Sequence, residues 1–212
     1  MVWLKRLFSL LAIGFLAYFG WQSRDLLAEI VAGASVLHLL AAAGSWAVMH
    51  LLSPLFTVFV FRGSGSDLGF STAARIHLSN LPARYIPGGI WHTVGRIVAL
   101  RQLGIDARRI SLFVLLENGL AVAVAFLLGG GVLYLYRGLE GWGGAAAAGA
   151  AGGAVLLFLI PAIIRFRVLG GVESVTKRHY FMSVCVVALS WCVASVAFVP
   201  MTGEAEKRSS RD

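Results

Sequence analysis

Residues Leu81–Arg96 read LPARYIPGGIWHTVGR, a stretch too punctuated for a helix and too apolar for an exposed loop. Pro82 and Pro87 lack the backbone N–H and clash with the preceding turn, so neither fits mid-helix. Gly88 and Gly89 follow at once and permit the sharp or left-handed turn that a broken helix needs. Tyr85, Ile86, Ile90 and Trp91 keep the stretch apolar. Helical character flanks the break. Ser71–Leu81 precedes it, with Thr72, Arg75 and Ser79 on one face. Ile90–Leu103 follows it, with His92, Thr93 and Arg96 in one polar stripe. Backbone of this kind is tolerated at membrane depth only where protein or a watery cavity satisfies it. In transporters, Gly/Pro interruptions of this sort point to the binding site.

The rest of the chain supplies the membrane. Of 212 residues, 58% are hydrophobic and 13% charged. Five or six spans of ~20 residues would absorb almost all of those apolar positions. Little remains for a soluble domain. The expectation is an all-α polytopic membrane protein with about five transmembrane helices plus one re-entrant helical hairpin. That domain covers residues 1–200, and a polar disordered tail covers 201–212. A formal charge of +8 would suggest nucleic acid in a soluble protein. In a membrane chain, cytoplasmic loops and anionic headgroups explain it better, and no nucleic-acid partner is expected. Cys185 and Cys192 lie seven apart on one helix, ~10 Å along its axis and too far for a bridge. No zinc spacing, Walker loop, dinucleotide fingerprint or Ser-His-Asp set occurs, so no metal, cofactor or catalytic residue is expected.

Lys5 and Arg6 precede the apolar run Leu7–Gly20, but Trp21-Gln22-Ser23-Arg24 offers no cleavage site, which favours an uncleaved first span. Ile30–Phe61 is too long for one span, and Pro54 is expected to end or kink it. His38 and His50 in this run read as hydrogen-bonded interhelical contacts rather than a proton relay. Arg62–Gly69 is a loop, and Ile110–Tyr136 is the clearest transmembrane helix. The Gly/Ala run Gly141–Gly153 leads straight into Val155–Ile164 and predicts close helix packing. Arg165–Arg178 forms a basic loop, and Tyr180–Pro200 is the last span.

Charge chooses the topology. If Ser71–Leu103 returns to the side it left and the N-terminus is cytoplasmic, only Arg24, Arg137, Lys207, Arg208 and Arg211 of the 18 Lys and Arg lie outside. If the segment spans, the basic residues divide evenly, and Arg84 and Arg96 stay within the membrane. The positive-inside rule favours the return.

Three ionisable residues stand out. Arg84 and Arg96 flank the break and offer planar forks to a lipid phosphate. Arg84 serves equally well as a snorkelling side chain. Glu117 lies ~10 Å into the next helix, where an acid is costly, and pairing with Arg96 or Arg84 in a polar crevice satisfies it. Asn118 is expected to make an interhelical hydrogen bond. Tyr85 and Trp91 can line the same crevice or sit as interfacial aromatics.

Tyr85-Ile86-Pro87-Gly88, then Ile90-Trp91 and Gly95-Arg96, resembles the first signature of the lysylphosphatidylglycerol synthase transmembrane-region family, also called the flippase-like domain. The resemblance extends more weakly from about Ile30 to Pro200. Where family members often carry a Lys after the Pro-Gly, this chain has Gly89. The resemblance implies a lipid-handling role: translocation of a phospholipid or polyprenyl-linked headgroup across the cytoplasmic membrane of a prokaryote. Its lipid-binding or crevice residues would be Arg84, Tyr85, Pro87, Gly88, Gly89, Trp91, His92, Thr93, Arg96 and Glu117. The partners it implies are membrane lipids, anionic or polyprenyl-phosphate-linked. The alternative it implies is a non-transporting membrane partner of a glycosyltransferase or phospholipid-modifying enzyme. Family members commonly carry a second Pro-Gly-Gly-type signature near the C-terminus. This chain reaches Asp212 without one, as expected of a short or truncated member.

Overall fold

A computed structural model describes residues 2–33, 35–85, 90–165 and 175–209. Its elements are α1 (Val2–Gln22), α2 (Arg24–Gly33), α3 (Val36–Gly63), α4 (Phe70–Asn80), a 3-10 turn (Leu81–Tyr85), α5 (Trp91–Gln102), α6 (Ala107–Arg137), α7 (Gly143–Arg165) and α8 (Lys177–Ser209). No strand occurs among the described residues. Four helices there are long and apolar enough to cross a membrane: α3, α6, α7 as far as Ile164, and α8 as far as Ser195. The chain is thus an all-α polytopic membrane protein. α1, where the sequence predicts a first span, is a 21-residue helix and is not among these four.

Two boundaries differ from the sequence-based expectation. The long run from Ile30 breaks between Gly33 and Val36, not at Pro54. Ser35 caps the new helix by accepting the His38 backbone N–H at 3.3 Å. Pro54 sits buried inside α3, which continues for nine residues beyond it. A proline in a membrane helix survives where neighbouring groups re-satisfy the loosened backbone. The carbonyl that loses a donor to Pro54 is that of His50, one turn back; next to the proline, the Thr57 hydroxyl donates to the Ser53 carbonyl at 3.0 Å. At the other end, helix continues through Pro200 to Ser209, where the polar composition predicts a separate disordered tail. Glu204, Ala205, Glu206, Lys207 and Arg208 are all good helix formers.

The break at 81–90 yields two half-helices on either side of the 3-10 turn, as the Pro/Gly pattern predicts. The turn expected at Pro87, Gly88 and Gly89 lies outside the described residues. α4 and α5 meet where Gly95 faces Asn80, whose side-chain amide donates to the Ile76 carbonyl at 2.8 Å. A Cβ at position 95 would strike that side chain. Both ends of the hairpin lie at one end of the bundle. Arg109, two residues into α6, holds the loop before α4 through the Ser66 hydroxyl at 2.5 Å and the Gly65 carbonyl at 3.4 Å. α5 ends only four residues before α6 starts. The Thr176 backbone N–H donates to the Gly63 carbonyl at 3.2 Å, which brings the start of α8 to the same end.

The buried core fills this half of the bundle. Phe56, Val60 and Phe61 of α3 meet Leu100 of α5 and Leu112, Phe113, Leu116 and Leu120 of α6. The other half is closed differently. α6 and α7 approach through glycine: a Cβ at Gly130 would lie 2.5 Å from the Ala146 carbonyl oxygen, and one at Gly153 would lie 2.5 Å from that of Ala123. This is the packing expected of the Gly/Ala run. In lipid, apolar side chains gain little by leaving hydrocarbon, so close backbone contact and dispersion hold such a pair.

Two glycines on these helices should respond in opposite directions. Gly153→Ala should destabilise the protein by about 1–3 kcal/mol through overpacking. At Gly131 a Cβ meets nothing within 4 Å, and Gly131→Ala should stabilise by about 0.5–1 kcal/mol through helix propensity. Thermal unfolding in detergent measures both.

Candidate functional site

Arg96 is the anchor of the hairpin. It lies on α5 with 2% of its surface exposed. A guanidinium stays charged at any accessible pH, so burial obliges it to find partners. Its Nη1 donates to Glu117 Oε1 at 2.5 Å, and its Nη2 donates to Thr57 Oγ1 at 3.1 Å. Its Cζ stands 4.7 Å from the centre of the Phe113 ring, in a cation–π contact. Phe113 is held in turn by Phe61, with ring centres 5.4 Å apart. One side chain therefore ties α5 to α3 and α6. The pairing of Arg96 with Glu117 is the one the sequence suggests. The Glu117 side chain is 27% exposed, so the acid sits at the edge of the site and the base at its centre.

One turn before Arg96, on the same face of α5, lies His92. Its ring stands edge-on to His77 of α4, with centres 5.6 Å apart. His77 is 4% exposed and has both nitrogens engaged. Nε2 shares a hydrogen bond with His50 Nδ1 at 3.0 Å, and Nδ1 shares one with the Ser53 hydroxyl at 3.1 Å. Trp46 packs edge-on against His50 at 4.1 Å. The His50 contact is interhelical and hydrogen-bonded, as its position in α3 suggests. His92 Nε2 is buried and has no hydrogen-bond partner. Both hairpin imidazoles lie outside the four candidate spans. Burial, and next the Arg96 guanidinium, push His77 down to about 3 and His92 down to about 4.

The other candidates are dispersed. Arg84 and Tyr85 lie exposed on the 3-10 turn. Thr93 and Trp91 are half-buried in the first turn of α5. Pro87, Gly88 and Gly89 fall outside the described residues. Asn118 donates to the Val114 carbonyl of its own helix at 2.8 Å, not across helices as expected. An amide on an exposed face of a helix reaches the carbonyl one turn back more readily than another helix. No group of three or more His, Cys, Asp or Glu is placed to hold a metal ion among the described residues. The imidazole cluster does not qualify, because His77 spends both nitrogens on other partners.

Sequence reasoning missed His77 and the stripe that receives it. His50, Ser53 and Thr57 recur at i, i+3 and i+7 in an apolar run. That spacing marks one face of a helix and was the available signal.

The ion pair generates a coupling test. Arg96→Gln and Glu117→Gln should each destabilise the protein by about 2–4 kcal/mol, because each leaves a charge or a buried polar group without its partner. The double variant should lose less than the sum by about 0.5–3 kcal/mol. Unfolding of the four proteins in detergent measures the difference. The imidazoles generate a pH test. With their folded-state pKa values below the ordinary 6.5, the unfolded chain binds more protons between about pH 4 and 6.5. Their contribution is full above about pH 6.5 and is lost as the pH falls below it. The unfolding midpoint should drop between about pH 7.5 and 5, and His77→Gln should flatten that drop.

No protein-family model, curated protein or solved structure matches this chain.

Proposed function

We propose that this is a lipid-handling membrane protein with flippase-like activity, in which the tip of the α4–α5 hairpin receives the headgroup. The observation that carries this reading is the hairpin. It enters and leaves at one end of an apolar bundle and brings His77, His92, Arg84 and Arg96 alongside α3. His50, which meets it, lies thirteen residues before the end of α3, ~20 Å along the axis and near mid-bilayer depth. Arg96 bonds Thr57, ~9 Å from the end of α3; an ionisable group within the membrane is costly and is a functional group by default. The resemblance of Tyr85–Arg96 to the flippase-like signature points the same way.

Roles divide between the two arginines. Arg96 is buried and already neutralised by Glu117, so it positions the hairpin and contacts no headgroup. Arg84, exposed on the turn, takes the phosphate. Reconstitution into liposomes containing a fluorescent phosphatidylglycerol tests the reading. The protein should make the inner-leaflet label accessible to an external quencher. Arg84→Gln should slow this about tenfold or more, the loss of one charged hydrogen bond. Label accessibility no greater than in protein-free liposomes would overturn transport. Co-purification of a soluble transferase in that case would identify a membrane partner instead.

A further inference from the structure

We infer that the imidazole cluster at the start of α5 is a linked anion and proton site: a lipid phosphate held by Arg84 and His92 Nε2 brings a proton from water onto His92. The inference rests on the lipid-handling reading and specifies which part of the lipid is read and what accompanies it.

Three imidazoles meet here from three helices, and they are not equivalent. His77 bonds His50 and Ser53 through its two nitrogens. His92 alone presents a buried nitrogen, Nε2, with no partner among the described residues. A buried polar atom without a hydrogen bond is rare in native structures and marks a place where one is made to something else. The charges around it set the chemistry of that partner. α3 contributes His50, α4 contributes His77, the 3-10 turn contributes Arg84, and α5 contributes Arg96 beside His92 itself. α6 contributes Glu117, whose carboxylate Arg96 holds. No described carboxylate bonds any of the three imidazoles. α5 also directs its N-terminal end here, and Ile90 gives it no side-chain cap. The positive end of a half-helix adds to a field that favours an anion.

That same field opposes protonation. Burial first, and then Arg96 and Arg84, act against charge on His92, so its ring is neutral while the site holds no anion. A phosphodiester beside Arg84 offsets that positive charge and offers His92 an acceptor. His92 then gains by becoming cationic, because both of its nitrogens become donors and Nε2–H reaches the phosphate oxygen. Linkage makes the effect reciprocal: if the anion favours the proton, the proton tightens the anion by the same factor. Anion and proton together also enter the low-dielectric region with no net charge, which lowers the cost of desolvating either alone.

The test is calorimetric and needs no variant for its main result. The full chain in detergent is titrated at about pH 7 with dihexanoyl phosphatidylglycerol in buffers of different ionisation heat. The dependence of observed heat on buffer should report a net uptake of protons, at most one per lipid bound. Affinity should fall as the pH rises, by at most about tenfold per pH unit. His92→Gln should bind more weakly and take up no proton. Dimethyl phosphate carries the same diester anion without acyl chains and does not titrate near neutrality. Proton uptake with the lipid alone supports the site as one for a lipid phosphate. Uptake with dimethyl phosphate at similar affinity supports the linked site but overturns its assignment to lipid. Lipid binding with no proton uptake overturns the linkage and leaves the lipid-handling reading standing. No binding of either probe overturns both.

Discussion

The hairpin is seated by a guanidinium that has almost no contact with solvent. At 2% exposure, Arg96 would be untenable without a counter-charge, and Glu117 supplies it. Thr57 takes a second edge of the fork and Phe113 takes its face. These contacts come from α6 and α3, so one residue fixes a short helix against two long ones. The bond matters more here than in a soluble core. Leucines such as Leu100 and Leu116 gain little by leaving hydrocarbon for protein, and helix association in lipid falls to packing and polar contacts. α5 is only 12 residues long and presents Val94 and Val98 outward. Its polar face is what distinguishes one seating from another.

From that anchor the register of the cluster follows. Arg96 and His92 lie one turn apart, so fixing the first aims the second toward the tip. Asn80 against Gly95 brings α4 alongside, which sets His77 opposite both His92 and His50. Ser53, four residues before Thr57, then meets His77 while Thr57 meets Arg96. One face of α3 thus serves both the ion pair and the imidazoles. A change at the ion pair should propagate to the cluster through α5 and α3 together rather than along one chain of contacts.

Much of this was legible in the sequence wherever a single physical effect outweighs its competitors. The span expected at Ile110–Tyr136 is Ala107–Arg137 in the structure, because a long apolar run bounded by Asp106 and Gly138 leaves little choice. Asp106 caps the start by accepting the Arg108 N–H at 3.0 Å, and Gly138, at φ 63°, ends the helix in a conformation that suits glycine. The Arg96–Glu117 contact was legible because two expensive charges at similar depth solve each other's problem. Elsewhere the rules compete. Pro54 signals a break, yet Gly33 and the capping Ser35 take it, since Pro54 is buried and packing sustains the helix around it. His77 gave no sign of its importance, because its partners lie 27 and 24 residues away in α3 and nothing local marks them. The polar tail turned out helical as far as Ser209, because local helix propensity there outweighs low hydrophobicity.

The two halves of the bundle also differ in the route they would offer the ligand proposed for the hairpin. Toward the basic end, the route is filled by Phe61, Leu100, Leu112 and Leu116, all fully buried. A small hydrated anion entering there would have to displace side chains packed at core density. The flank is open. The part of α3 before Ser53 exposes Val36, Leu37, Leu40, Trp46 and Leu51, and the tip exposes Tyr85 and Ile90 beside it. These exposed apolar side chains form a rim in front of the polar cluster. On the lipid-handling proposal, a ligand whose anionic group is carried on hydrocarbon chains would slide along that rim and leave its chains in lipid, whereas a free anion would have to shed its water first. Selection would then rest on solvent as well as on charge.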